Sequence, residues 1–294
     1  MKKILLTGGN GFIGKNISES YLAQIYEITA PGSSELNLTD TDSVDNFFKN
    51  KEFDAVLHAA VKPGHRNAKD PTNLFYSNIR MFQNLERHKN KYEKFINFGS
   101  GAIYDISTNI TDAREEDLCK NMGKDEHGFC KYLVYKQIEN LDNFVDLNIF
   151  GIFGKYEDCR IRFISNAICK TLLDLPITLR QNRKFSYLYI DDLMPVLEFF
   201  IENKVKYKSY NIVPDEKVEL SETAEIIKKI SQKKDILINI GTEGFGLDYT
   251  GNNKRLKQEF PVKFTSIDTA AEKLYEYYEK NKAGLNKELF LTDK

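Results

Sequence analysis

The eight residues from Thr7 to Gly14, TGGNGFIG, follow a short apolar run at Ile4 to Leu6 and open a segment with helical spacing. A strand, a glycine loop and a helix start in that order leave few architectures open. Gly8 permits a tight turn at the strand end, Gly11 lets a diphosphate approach the backbone, and Gly14 allows close packing of helix on strand. The helix start then presents free amide N–H groups and a positive dipole end to the anion. The loop therefore predicts a dinucleotide-binding βαβ unit, with Phe12 and Ile13 beside the glycines at the cofactor.

Alternation continues through the first half of the chain. Residues 3–7, 25–29, 55–58, 95–98 and 146–150 read as buried strands, and 13–22, 41–50, 74–88 and 128–141 as helices, which predicts an α/β fold with a doubly wound parallel sheet. Thr39 or Thr41 is the expected cap of the helix from 41, with Asp42 in its first turn. Beyond Gly154 the pattern predicts a helix over 161–173, a strand at 177–179, a helix opening at Asp191 and Asp192, a strand at 211–213, and helices over 219–231 and 267–280. The last of these carries Ile267, Ala271, Leu274 and Tyr278 on one face. Segment 235–265 has no readable pattern. The chain's 294 residues suffice for a cofactor domain, residues 1–155 with 185–213 returning to it, and a smaller C-terminal α/β lobe over 156–294.

Charge is balanced, 42 Lys+Arg against 43 Asp+Glu, so no field gathers nucleic acid or an anionic membrane, and a small molecule is the expected partner. No apolar run nears the roughly 18 residues of a membrane span, and the opening MKKILLTGG is too short for a secretory leader. Cys119, Cys130, Cys159 and Cys169 form no CxxC pair. These features predict a cytoplasmic protein without a metal site.

Further stretches carry a family resemblance over nearly the whole chain: SSELNLTD at 33–40, FDAVLHAAV at 53–61, Asn78 in NIRMFQNL, FGSGAIYD at 98–105, LNIFGIFG at 147–154 and FSYLYIDDL at 185–193. With the GxxGxxG spacing they resemble the extended short-chain dehydrogenase/reductase superfamily, in its NAD-dependent epimerase/dehydratase family, and are similar to the GDP-fucose synthase-like nucleotide-sugar 4-ketoreductases. The resemblance implies a Rossmann cofactor domain and a lobe that holds a nucleoside-diphosphate sugar. It also implies hydride transfer from NAD(P)H to a 4-keto sugar in surface-glycan biosynthesis, and a homodimer formed through helix 74–88 and the helix bearing the catalytic pair. Cofactor contacts then fall on Gly8, Gly11, Phe12, Ile13, Gly14, Ser33, Ser34, Asn37, Leu38, Ala59, Ala60 and Asn78. At the end of the second strand stand Ala30, Pro31, Gly32, Ser33 and Ser34, where an NAD enzyme would place a carboxylate. No carboxylate repels a 2′-phosphate and two serines can donate to it, so NADP(H) is favoured over NAD(H), although no arginine is present.

Members of this family polarise the carbonyl with a Ser/Thr and a Tyr, and a Lys one helical turn past the Tyr holds the nicotinamide ribose. Ser100 matches the serine, and Tyr104 either lines the sugar site or packs. The tyrosine has two possible places. HGFCK at 127–131 fits the family's YGxSK pattern with His127 for Tyr, whereas Tyr132 and Lys136 have the expected letters five residues later. The spacing favours His127 and Lys131: His127 precedes Gly151 by 24 residues, room for a helix and a strand, and Tyr132 by only 19. A five-residue shift also turns a side chain by roughly 140° around the helix. Histidine, with an unperturbed pKa near 6.5, can donate a proton as imidazolium, and the charge of Lys131 would lower that value.

Where GDP-fucose synthase-like enzymes couple reduction to epimerisation, this chain has Ala102 and a residue near Arg162, neither an acid–base group at neutral pH, so simple reduction is expected. Phe185 replaces an arginine that helps hold the nucleotide; Arg160, Arg162, Arg180, Arg183 and Lys184 are the nearby candidates for the diphosphate. Two alternatives stay open, an NAD-dependent nucleotide-sugar 4-epimerase and a catalytically silent dinucleotide-binding protein.

Overall fold

Ile4, Leu5 and Leu6 are all fully buried, although successive side chains on a strand point to opposite faces. Their strand must therefore be covered on both sides, and it is. The computed structural model describes residues 1–64, 67–70 and 72–291. Strand β1 (Lys3–Thr7) leads through α1 (Phe12–Glu19) and the single turn α2 (Leu22–Ile25) to β2 (Glu27–Thr29). There follow α3 (Thr41–Phe48), β3 (Phe53–His58), α4 (Leu74–Glu86), β4 (Tyr92–Phe98), β5 (Ile110–Ala113), α5 (Glu126–Ile138), β6 (Phe144–Ile149) and β7 (Gly151–Phe153).

The second half continues with α6 (Phe163–Leu172), β8 (Ile177–Asn182), β9 (Lys184–Phe185), β10 (Tyr187–Tyr189), α7 (Leu193–Glu202), β11 (Ser209–Ile212) and β12 (Val218–Glu219). The chain then forms α8 (Leu220–Ser231), β13 (Ile238–Phe245), β14 (Tyr249–Gly251), α9 (Lys254–Glu259) and α10 (Ile267–Lys280).

The main sheet has the order β11-β6-β4-β3-β1-β2 with every pairing parallel, a doubly wound α/β fold. One face carries Leu5, Val56, Phe95 and Phe144 against Val44 and Phe48 of α3, Phe82 and Leu85 of α4, and Val134 and Ile138 of α5. The other carries Ile4, Leu6, Leu57 and Ile96 in a core that includes α1, α7 and the C-terminal helices. Strand order reverses beside β1, and the crevice outside the strand ends there is where such sheets bind ligands.

Smaller sheets build the remainder. β8 pairs in parallel with β13, β7 with β10, and a mixed sheet runs β12-β9-β14-β5. This last sheet joins residues 110–113 to strands near the C-terminus. Among the described residues no helix is long and apolar enough to cross a membrane.

Several boundaries differ from the sequence expectation. The helix read over 13–22 stops at Glu19, where the Ser20 hydroxyl donates to the Ile17 carbonyl at 2.7 Å, and the chain re-enters a helical turn before β2, which is therefore shorter than 25–29. Neither Thr39 nor Thr41 caps α3. Asp40 does, its Oδ1 accepting from the Asp42 and Ser43 amides at 2.9 and 3.2 Å. Thr41 Oγ1 instead accepts from Arg80 at 2.6 Å, and Thr39 is turned to Asn37.

Candidate active site

The phosphate loop tests whether a dinucleotide fits. Gly8 has φ +72°, and a Cβ there would lie 2.7 Å from the Ala60 nitrogen; one on Gly14 would lie 2.2 Å from the Gly8 carbonyl oxygen. The loop is thus pressed on one side against β3's end and on the other against the start of α1. Gly11 is different. It is exposed, and a Cβ would meet only the Gly8 carbonyl, at 3.2 Å. Gly11 is also the N-cap of α1 and supplies no side-chain cap, so the first helical amides are left for an anion. The cradle suits a diphosphate.

Around it, Ala59 and Ala60 close the loop's floor, and Ser33 and Ser34 stand exposed after β2. Leu38 is buried in the core, and Asn37 uses its Oδ1 to accept from the Thr39 amide and hydroxyl, at 3.1 and 2.8 Å. Asn78 is spent on the backbone: it accepts from the Lys62 amide at 2.8 Å and donates to the Lys62 and Leu74 carbonyls at 3.1 and 3.0 Å, fixing the chain beyond β3.

Ser100 follows β4 and begins the turn Gly101–Tyr104, its Oγ accepting from the Ala102 amide at 3.1 Å. α5 starts directly against that turn: a Cβ on Gly128 would lie 2.7 Å from the Ala102 carbonyl oxygen. Asp125 caps α5 through Oδ1, which accepts from the Gly128 amide at 2.9 Å, while its buried Oδ2 has no hydrogen-bond partner among the described residues. His127 and Lys131 are therefore one turn apart on a helix whose N-terminus abuts the Ser100 turn. Lys131 Nζ donates to the Phe98 carbonyl at 2.8 Å, two residues before Ser100. Loss of water pushes the Lys131 pKa down, and burial pushes that of Asp146, which accepts from Asn97 at 2.6 Å, up to about 6.

The half-buried His127 ring is lowered to about 4, first by loss of water, then by the charge of Lys131, with Arg162 adding and Asp125 opposing. The lowering has the direction expected from Lys131 and is enlarged by burial. The lysine's effect was legible in the sequence; the larger effect of burial was not. The other register has a different setting. Tyr132 packs against the small core cluster that includes Ile103 and Tyr135 and stacks on Phe129 with ring centroids 6.4 Å apart, and the exposed Lys136 is ion-paired with Glu139.

Tyr104 packs inward: its hydroxyl donates to Asn211 Oδ1 at 2.9 Å inside the core, and burial holds its pKa far above the usual phenol value. The five cations also separate. Arg160 is clamped on Asp158 by bonds of 2.7 and 2.8 Å, and Arg180 and Lys184 are exposed on β8 and β9. Arg162 and Arg183 are the two whose charges act on Tyr249. Arg183 lies 4.9 Å from the Phe185 ring and keeps a buried Nε without a hydrogen-bond partner among the described residues.

Tyr249 was not found from the sequence. It begins β14, and its hydroxyl reaches the turn that Ser100 begins. A Cβ on Gly101 would lie 2.7 Å from that hydroxyl. Its ring sits among Phe150 and Phe185, with centroids 5.0 and 5.6 Å away. No motif marks it, and the segment around it lacks periodicity.

Comparison with known proteins places this geometry in a wider context. The model of the NAD dependent epimerase/dehydratase family matches residues 4–213. The chain is 24% identical to the GDP-L-colitose synthase of Yersinia pseudotuberculosis over 253 residues, 78% of this chain and 82% of that one. Its fold is similar to that of the GDP-mannoheptose C4 reductase from Campylobacter jejuni with NADP bound, with TM-score 0.82 at 19% identity over 95% of this chain and 98% of that one. It is nearly as similar to the UDP-glucose 4-epimerase of Thermotoga maritima with UDP-glucose, with TM-score 0.80 at 17% identity over 95% and 99% of the two chains.

Proposed function

The chain belongs to the NAD dependent epimerase/dehydratase family, and within it we propose an NAD(P)H-dependent oxidoreductase that reduces the 4-keto group of a GDP-, CDP- or dTDP-linked deoxyhexose or heptose in surface-glycan biosynthesis. The observation that carries this reading is the junction of Ser100, His127 and Lys131, formed where α5 abuts the turn after β4 on the same sheet that bears the phosphate cradle. A bound nicotinamide cofactor supplies the hydride. The first amides of α1 hold its diphosphate, and Lys131 is the cation for its nicotinamide ribose. The Ser100 hydroxyl donates to the substrate carbonyl and the neutral His127 imidazole N–H orients it, so that charge developing on oxygen meets donors already in place. Arg162 and Arg183 hold the sugar's diphosphate, in the lobe formed mainly by residues 156–294. NADP(H) is the proposed cofactor, supported by the Ser33–Ser34 edge without a carboxylate and by the NADP in the Campylobacter reductase. We place the protein in the cytoplasm as a homodimer.

A second reading has one observation in its favour. A neutral His127 can accept a proton from a sugar hydroxyl, as the oxidising half of a 4-epimerase requires. The two readings part at the cofactor, since an epimerase retains NAD through purification and a reductase consumes NAD(P)H. The test is cofactor oxidation with a panel of GDP-, CDP-, dTDP- and UDP-linked 4-keto sugars. We expect oxidation with at least one sugar, loss of at least about a hundredfold in Ser100→Ala, and activity retained in Tyr132→Phe. An inactive Tyr132→Phe beside an active His127→Phe would transfer the catalytic pair to Tyr132 and Lys136, and tightly held NAD with no oxidation would favour the epimerase.

A further inference from the structure

Resting on that reading, we propose that Asp146 is a positioning residue for Lys131: its carboxylate, walled in under Gly99, is the counter-charge that fixes the lysine's ammonium at the end of β4, where the nicotinamide ribose is to be met.

Strand and helix periods bring the two groups together. Phe95 and Asn97 share one face of β4, and Phe144, Asp146 and Asn148 share that face of β6, with Asn97 beside Asp146 in the ladder. Lys131, Val134 and Ile138 form one stripe of α5. Val134 and Ile138 are buried in the same core as Phe95 and Phe144, and the Lys131 ammonium donates to the Phe98 carbonyl at 2.8 Å. The turn of α5 before that apolar contact thus lies over the step of both strands after it, the step that holds Asn97 and Asp146.

Gly99 shows how close the carboxylate comes. A Cβ there would lie 2.6 Å from Asp146 Oδ1 and 2.9 Å from Asn148 Oδ1, so these two side chains fill the space that any other residue would need. The carboxylate is pressed against the backbone between Phe98, which Lys131 grips, and Ser100. Asp146 is 1% exposed. Its Oδ1 accepts from Asn97 at 2.6 Å, and its Oδ2 has no hydrogen-bond partner among the described residues. One neutral donor does little to offset the burial of a carboxylate, which calls for a cation. Asn148 does not help: its Nδ2 donates to Ser209 Oγ and Asn211 Oδ1, at 2.8 and 3.3 Å, and it turns only an oxygen toward Gly99.

The charges agree with the packing. Desolvation works against the Lys131 ammonium, and Asp146, then Cys130, favour it. Burial raises the Asp146 carboxyl to about 6, while Asn97 and then Lys131 favour its anion. Other titratable groups near the pair are His58 of β3, lowered by burial to about 3, His127 of α5 at about 4, and Tyr135 of α5, a phenol raised by burial. α4 meets α5 through the uncharged Gln83, bonded to Gln137, and through the Phe75 amide, which donates to Glu126 at 2.6 Å. Tyr104 of the Ser100 turn is bonded to Asn211.

The test reads both groups in the full-length protein. Without cofactor, the NMR resonance of the Lys131 ε-carbon should titrate about one pH unit or more lower in Asp146→Asn than in the wild type, because the charge that favours the ammonium is lost. An unmoved titration overturns the proposal. Asparagine keeps the shape of the side chain and the bond from Asn97, so a merely structural role would leave the lysine's titration in place. Lys131→Met gives the reciprocal measurement should Asp146→Asn fail to fold. In it the Asp146 carboxyl carbon should titrate about one unit or more higher, and an unchanged value overturns the pairing. With the 4-keto sugar of highest turnover, the fall of kcat/KM at high pH should move down in Asp146→Asn by the same amount as the lysine's titration. A fall that stays in place while the titration moves overturns the positioning role. A wild type inert toward every sugar overturns the function, and the carbon titrations then still decide whether Asp146 holds the ammonium.

Discussion

At Gly11 the backbone has φ −79°, an angle any residue adopts, and a Cβ would approach only the Gly8 carbonyl. Gly11→Val is therefore compatible with the fold, yet its branches enter the space over the open amides of α1. We expect unchanged thermal unfolding and NADPH affinity weakened by at least tenfold, about 1.4 kcal/mol, measured by calorimetry. Gly8→Val should fail differently, by misfolding, since its Cβ would meet β3's end at 2.7 Å with φ +72°. At this scale the sequence was most legible where chemistry depends on residue identity, as in the glycine loop. It was least legible where chemistry depends on surroundings. Nothing in the letters HGFCK discloses how little water reaches His127, and the resemblance that pointed to Tyr104 could not reveal that Asn211 holds it in the core.

Among the elements, α3 gives a measurable consequence of its cap. Asp40→Ala removes two hydrogen bonds at the helix start and a negative charge at the positive end of the dipole. Urea unfolding should show a loss of about 1 kcal/mol with an unchanged denaturant slope, whereas Thr39→Ala, which removes a hydroxyl bonded only to Asn37's side chain, should stay within about 0.5 kcal/mol. Threonine and aspartate are both good caps, so sequence alone narrowed the start of α3 to a few residues without selecting one. The central strands β1, β3 and β4 of the main sheet were readable because each buries apolar residues on two covered faces. β13 was not, because Ile238 is half-buried and every later residue to Phe245 is exposed. A strand that buries almost nothing leaves no periodic trace. The segment around it hid β14 as well, and with it Tyr249.

For the whole molecule, α4 and α5 lie side by side on one face of the main sheet, with Phe75 stacked on Phe129 at 5.5 Å and Tyr76 62% exposed. We propose that this pair of helices meets its counterpart in a second copy, and we expect light scattering at micromolar concentration to give twice the 34.0 kDa chain mass. Tyr76→Glu should shift the population toward monomer, and a single-chain mass for the wild type across that range would remove the proposal. The parallel sheet and its helices on both faces could be expected from alternation alone. The small mixed sheet could not, because β5 pairs with a strand far along the chain and no local pattern encodes such a partner.

That distant pairing bears on the order in which the protein is made. Ser100 leaves the ribosome early, and Tyr249 emerges when half the chain's length has been added after it. A nascent chain that has reached β11 already holds all six strands of the main sheet and the glycine cradle, since β11 is the last of them. It lacks β14, the strand that brings Tyr249 to Gly101 in the turn after Ser100. During synthesis there is thus an interval in which the chain could retain a dinucleotide before the surroundings of the Ser100 turn are complete. Cofactor captured then would act as a template that stabilises the first part of the molecule while the last part is still being added.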